Sequence, residues 1–258
     1  MIYTELNFYS KALTQTVTVN VLLPEKKKTE DGVGVVDGTY KTLWLLHGLS
    51  KDHTAWLRRS NIERFAEDYG IAVVMPEVGR YWYTDTSNGE KYFTFITEEL
   101  PTMCRGCFKG MSDKREDNLI AGNSMGGYGA VKAALHHPDK YFGCVSLSGA
   151  LDVTRKNRVC NLPEWRAIFG FDLQDPMELE GSFHDLFAEA RRKAEAGVEL
   201  PKMYLWCGME DTLIKINRDY HALLTELGVE HTYEESEGDH SWHWWDMHIQ
   251  SGLRNLLG

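Results

Sequence analysis

Gly122-Asn123-Ser124-Met125-Gly126-Gly127 is the stretch on which the fold turns. The apolar run Leu119-Ile120-Ala121 leads into it, and Tyr128-Gly129-Ala130-Val131-Lys132-Ala133-Ala134-Leu135 leads out with helical character. The chain therefore reads strand, tight turn, helix, with Ser124 at the apex. Gly122 and Gly126 fit G-x-S-x-G, a turn so sharp that a Cβ at either position would meet neighbouring backbone. Such a turn lifts the serine oxygen at the end of a sheet, at a helix N-terminus where backbone N–H groups face an anion. The strand–helix context separates this motif from a glycine-rich turn carrying an ordinary cap serine.

Upstream, Thr42-Leu43-Trp44-Leu45-Leu46 is a continuous apolar run, as in a strand covered on both faces. It ends at His47-Gly48-Leu49-Ser50, where a glycine lets the backbone pass close to a ligand. The N–H of Leu49 is thus a candidate oxyanion donor, with the N–H of Met125 as its partner. His47 precedes the turn and reads as a residue that orients the loop. Residues 71–75 form the next strand, stopped by Pro76. The aperiodic Arg80-Tyr81-Trp82-Tyr83-Thr84-Asp85 follows it and reads either as a wall of the site or as a packed surface loop.

Residues 2–9 and 16–23 read as an antiparallel hairpin about Lys11-Ala12-Leu13-Thr14, since Val17, Val19 and Val21 alternate with polar residues. The charged, glycine-rich stretch 25–39, with Lys26-Lys27-Lys28, reads as a solvated loop. Helices are expected over 61–69, with Asn61 as N-cap, and over 93–107, 184–196, 214–227 and 242–257. Strands are expected at 143–148, 202–207 and 230–235. Residues 149–201 break this rhythm, with Trp165, Phe169, Phe171, Phe183 and Phe187 set among charges. An insertion at the carboxyl end of a strand sits where such a sheet presents its ligand site, so the stretch reads as a cap. The expectation is a single α/β domain over 1–258: a doubly wound, mostly parallel sheet with an N-terminal antiparallel hairpin and an inserted cap over about 149–201.

A serine hydroxyl needs a base beside it and an anion to hold that base. Ser124, Asp211 and His240 each follow a predicted strand, in the chain order of the α/β-hydrolase fold. Ser124 is the candidate nucleophile, His240 the base, whose ordinary pKa of about 6.5 suits a proton shuttle, and Asp211 the acid. His47 and His243 are rival bases. Asp239 and Glu210 are rival acids, but Asp239 adjoins the base and Glu210 lies before the loop tip. His47, Trp82, Tyr83, Trp165 and Trp242 are the candidate pocket residues.

The formal net charge of −10 argues against a nucleic-acid surface and against anionic membranes. No apolar run approaches the roughly 20 residues of a membrane helix. The start, Met1-Ile2-Tyr3-Thr4-Glu5, lacks a basic segment followed by an apolar run, so no signal peptide is expected. Five cysteines, Cys104, Cys107, Cys144, Cys160 and Cys207, fit reduced thiols in a cytoplasm. Cys104-Arg105-Gly106-Cys107 has redox or half-zinc spacing but no second pair, and reads as two ordinary cysteines. No H-E-x-x-H and no G-x-G-x-x-G appear, so neither metal nor dinucleotide cofactor is expected. A homo-oligomer stays open.

With Leu45-Leu46-His47-Gly48, Asp52-His53-Thr54-Ala55-Trp56, Arg59-Ser60-Asn61-Ile62, the Ser124 turn, Asp211 and Gly238-Asp239-His240-Ser241-Trp242 in place, the chain resembles the esterase D-like family of α/β-hydrolases from about residue 2 to 257. The likeness is nearest to its tributyrin-esterase branch; feruloyl and acetyl-xylan esterases and S-formylglutathione hydrolases belong to the same family. The resemblance implies Ser124, Asp211 and His240 as triad, Leu49 and Met125 as oxyanion donors, and hydrolysis of short-chain acyl esters of small molecules. Formylglutathione hydrolases typically carry a cysteine-bearing loop where this chain has Gly48-Leu49-Ser50-Lys51-Asp52-His53. Feruloyl esterase, S-formylglutathione hydrolase and acyltransferase are the alternative activities. A non-catalytic binding protein on this fold is opposed by the complete triad.

Overall fold

The computed structural model describes residues 1–29, 32–35, 38–154, 162–170 and 172–258. Cys160 and Phe171 lie outside them. β1 (Ile2–Ser10) and β2 (Gln15–Leu23) pair antiparallel, Ile2 opposite Leu23 and Ser10 opposite Gln15, as their alternation predicts. The loop expected over 25–39 differs: β3 (Lys26–Thr29) and β4 (Gly32–Val35) pair as a separate antiparallel ribbon. Backbone pairing in such a ribbon makes no demand on hydropathy, so a charge run does not exclude a strand.

The remaining elements alternate. β5 (Thr42–Leu46), α1 (Ala55–Arg59), α2 (Ile62–Tyr69) and β6 (Ala72–Pro76) come first. Next are α3 (Tyr92–Thr94), α4 (Leu100–Cys107), β7 (Asn118–Asn123), α5 (Met125–His136) and β8 (Gly143–Leu147). Then come α6 (Leu162–Phe169), α7 (Leu186–Glu195), β9 (Lys202–Gly208), α8 (Ile214–Glu226), β10 (His231–Ser236) and α9 (Trp242–Leu257). The eight-stranded sheet has the order β1-β2-β6-β5-β7-β8-β9-β10, parallel from β6 to β10. After β5 the chain steps first to β6 on one side and then to β7 on the other. The carboxyl ends at that reversal form the crevice where open α/β sheets bind ligands.

Both faces of the sheet are covered, which is why its central strands are apolar throughout. Trp44 and Leu46 of β5 belong to the core layer that also holds residues of α5, α7 and α8, while Leu43 and Leu45 belong to the layer that holds residues of α1, α2 and α9. Asn61 occupies the N-cap position of α2, but its side chain does not cap the helix. Its backbone and side-chain N–H groups donate to Asp246 instead, tying α2 to α9. The helix expected over 93–107 passes from α3 to α4 through a π-helical turn, Phe95–Glu99. Glu99 there accepts from Ser10 and from the amides of Lys11 and Ala12, so the turn aims a carboxylate at the β1–β2 bend. Among the described residues no helix is long and apolar enough to cross a membrane.

Candidate active site

Ser124 sits between β7 and α5 with φ 55° and ψ −118°, a strained conformation for a residue with a side chain. Packing holds it there. A Cβ on Gly122 would lie 2.4 Å from the Gly126 backbone, and one on Gly126 would lie 2.4 Å from the carbonyl oxygen of Leu46. The strand, the helix and the end of β5 therefore approach backbone to backbone, and only glycine permits it. The Ser124 N–H donates to the Leu147 carbonyl, fixing the turn against β8.

The Ser124 hydroxyl donates to His240 Nε2 at 3.0 Å, and His240 Nδ1 donates to Asp211 Oδ2 at 2.8 Å. Asp211 stands in the loop after β9 and His240 in the loop after β10. These loops are laced together: the Gly238 N–H donates to Glu210 Oε2, and the Glu210 N–H to the Gly238 carbonyl. Glu210 thus clamps the histidine loop instead of serving the imidazole. Asp211 is buried, which pushes its pKa up. The His240 hydrogen bond and charge, the Leu213 N–H and the Ser148 hydroxyl outweigh that burial and bring it below the usual carboxylate value. Ser148 in turn accepts from Trp245 Nε1 at 3.1 Å, and the Trp245 ring stands edge-on to His240.

A cavity of about 700 Å³ opens over Ser124. Gly48, Leu49 and Met125 line it beside the serine. Met125 is the first residue of α5, so its N–H belongs to the group that a helix leaves without an intrahelical acceptor. Among the residues expected at the pocket, Trp82 and Trp242 line this cavity. His47, Tyr83 and Trp165 do not. His47 is buried; its Nδ1 donates to the Gly48 carbonyl and its Nε2 accepts from the Val78 N–H, so burial lowers its pKa and it orients the loop. The Tyr83 hydroxyl donates to the His47 carbonyl, and Trp165 stands edge-on behind Trp82 at 5.0 Å. These three build the back of the wall. An aperiodic loop gives no rule for which ring faces inward, and Trp82 and Tyr83 both adopt positive φ. Trp245 lines the cavity too. Its spacing of three from Trp242 on α9 is the signal that places both on one helix face.

His243 lines the cavity but lies outside the hydrogen-bonded chain. Cys104 and Cys107 of α4 are free thiols, the first buried and the second exposed. Among the described residues no group of three or more His, Cys, Asp or Glu is placed to hold a metal ion.

A family model described as "Putative esterase" matches residues 10–256. The chain belongs to this esterase family. An acetyl esterase of Caldicellulosiruptor saccharolyticus is 33% identical over 96% of both chains. FphF, a fluorophosphonate-binding serine hydrolase of Staphylococcus aureus, superposes with a TM-score of 0.88 at 32% identity, covering 100% of this chain and 98% of its own. The S-formylglutathione hydrolase FrmB of Staphylococcus aureus gives 0.86 at 31% identity, over 100% and 99%. The protein is an α/β-hydrolase and a carboxylic ester hydrolase of the serine type.

Proposed function

We propose that this esterase cleaves short-chain, acetyl-type esters of small molecules through an acyl-enzyme on Ser124. The observation that carries the reading is the continuous chain from the Ser124 hydroxyl through His240 to Asp211, at 3.0 and 2.8 Å. Ser124 attacks the ester carbonyl while His240 Nε2 takes its proton. Asp211 holds the imidazole and stabilises its cation. The N–H groups of Leu49 and Met125 receive the oxyanion, a contact whose loss costs about 3 kcal/mol per donor. His240 returns the proton to the leaving alcohol, and water releases the acid by the same route. The segment 149–201 acts as the cap in this reading, with Ala150 at the cavity and Trp165 bracing Trp82. The acetyl esterase relative supports the acyl class.

A second reading, an aromatic acyl group of the feruloyl type, is favoured by the three indoles of Trp82, Trp242 and Trp245 at the cavity. The S-formylglutathione hydrolase reading takes support from FrmB, but among the described residues no cysteine lines this cavity. One experiment separates these. Hydrolysis of p-nitrophenyl esters of rising acyl length, of a feruloyl ester and of S-formylglutathione is measured with wild type and Ser124→Ala. We expect acetate and propionate to lead, and Ser124→Ala to lose at least about 10³-fold while remaining folded. Near-wild-type hydrolysis by Ser124→Ala would falsify the assignment, and a lead for the feruloyl ester would replace the acyl class.

A further inference from the structure

The protein is strongly acidic, with 38 Asp and Glu against 28 Lys and Arg. The cavity over Ser124 has the opposite character. Lys51 and Arg59 line it, and among the described residues no aspartate or glutamate does. Asp211, the acid of the triad, is buried behind His240. Neither cation forms a side-chain ion pair or hydrogen bond among the described residues, whereas Arg80 nearby is held by Glu164 and Ser50. Asp52, next to Lys51, accepts from Thr54, and Asp246, next to Trp245 on α9, accepts from Asn61. Asp239, next to the base, does not line the cavity. The described lining therefore carries positive charge in a protein whose net charge is −10.

We propose that Lys51 and Arg59 select an ester that carries an anionic group of the carboxylate class besides its scissile bond. The proposal rests on the esterase reading and names its substrate class. A guanidinium pairs with a carboxylate through two parallel N–H donors, and an ammonium adds a point charge. A local positive potential in a negative protein concentrates such a substrate at the mouth of the cavity and orients it there. Neutral esters enter the same cavity without that gain. Both cations are solvent-exposed, so each contributes as a surface pair does, and salt screens the effect.

The test uses two pairs of esters that differ by one charge. In 4-acetoxybenzoate and 4-acetoxybenzamide the charge lies on the leaving group; in the p-nitrophenyl esters of succinate and butyrate it lies on the acyl group. The quantity read is the anionic-to-neutral ratio of kcat/KM within each pair. We expect Arg59→Gln to lower the ratio in one pair by about fivefold, and Lys51→Gln with Arg59→Gln to lower it by about 10–25-fold. The pair that responds tells which side of the ester bears the anion. Raising the salt should erode the wild-type ratio in parallel. Arg58→Gln, an exposed arginine on the same turn of α1 outside the cavity, should keep the wild-type ratio. Ratios unmoved in both pairs overturn the proposal, as does an equal response to Arg58→Gln, which would assign the effect to net charge. If wild type hydrolyses neither the neutral nor the charged esters, the esterase reading falls and this proposal with it. If it hydrolyses both with no dependence on residues 51 and 59, only this proposal falls.

Discussion

At the N-terminal end of α5, Ser124 meets a histidine held by a carboxylate; about two turns further along the same helix, Lys132 meets no carboxylate among the described residues. Lys132 is fully buried. Its ammonium donates to the Tyr83 carbonyl, the Thr84 hydroxyl and His184 Nδ1, beneath the rings of Phe93, Tyr128 and Phe183. Burial pushes its pKa down to about 7, with Asp85 opposing weakly. The same burial, together with the Lys132 charge, pushes His184 down to about 2. His136, beside them, falls to about 4 despite Glu189. The contrast shows what a carboxylate does. Where an imidazole must gain a proton during each turnover, Asp211 stands against it. Where the chain only needs a strut between α5, the aromatic loop and the segment before α7, Lys132 and His184 sit without an anion in contact, Glu189 at 3.6 Å does not offset the burial of His136, and the charged forms are disfavoured.

The largest expected effect breaks the first half of that contrast. Asp211→Asn leaves a side chain of the same size but removes the anion and frees His240 to adopt the wrong tautomer. We expect kcat for p-nitrophenyl acetate to fall by about 10⁴-fold with the fold retained. A loss of tenfold or less would mean that the carboxylate does not support the imidazole in the way the 2.8 Å contact implies.

The second breaks the other half. The folded pKa of Lys132, about 7, lies below its unfolded value near 10.4. Between those pH values the unfolded chain binds the extra proton, so stability rises with pH. Below pH 7 both states are protonated and the full cost of the buried charge is present; above about 10.4 both are neutral and the cost is gone. In Lys132→Met this contribution is absent. Urea unfolding at pH 6 to 10 should show wild type gaining on the variant by on the order of 4 kcal/mol across the window. Parallel curves would show that Lys132 is not held in a charge-disfavouring site. The difference between the two proteins is the quantity to read, because tyrosines and cysteines titrate in the same range.

These two regions also differ in how far they could be read from sequence. The Ser124 turn is local: two glycines, a strand before and a helix after specify it within a dozen residues. Asp211 and His240 are remote in sequence but stand at strand ends in chain order, and a parallel sheet brings such ends to one edge. The eight-stranded sheet follows from the same alternation. The Lys132 strut has no such signature. In sequence it is one polar residue in an apolar helix, and its partners at 83–84 and 184 come from an aperiodic loop and the insertion. The cavity wall was half legible for that reason. Tryptophans were visible near the site, but whether Trp82 or Trp165 faces inward depends on side-chain direction. Ser148 shows the limit most clearly. It reads as the last residue of a strand, and nothing in the sequence joins it to Asp211 or to Trp245.

Ser148 yields the smallest of the three effects, and it sharpens the comparison by asking how the carboxylate itself is held. The Ser148 side chain is buried at the end of β8 with φ 48°, its N–H on the Trp206 carbonyl, its oxygen between Trp245 Nε1 and the Asp211 carboxylate. Ser148→Ala removes one of the groups that keep Asp211 ionised and leaves the Trp245 N–H without an acceptor. The unpaired donor costs about 1–3 kcal/mol of stability. A purely structural loss would stop there. If Ser148 positions the acid, kcat should also fall by about tenfold with KM little changed, since a hydrogen bond to an ionised group contributes about 1.5–3 kcal/mol. A destabilised variant with unchanged kcat would confine Ser148 to packing. Asp211 would then owe its low pKa to His240 and the Leu213 N–H alone, and the arrangement at this end of α5 would reduce to three residues and two loops.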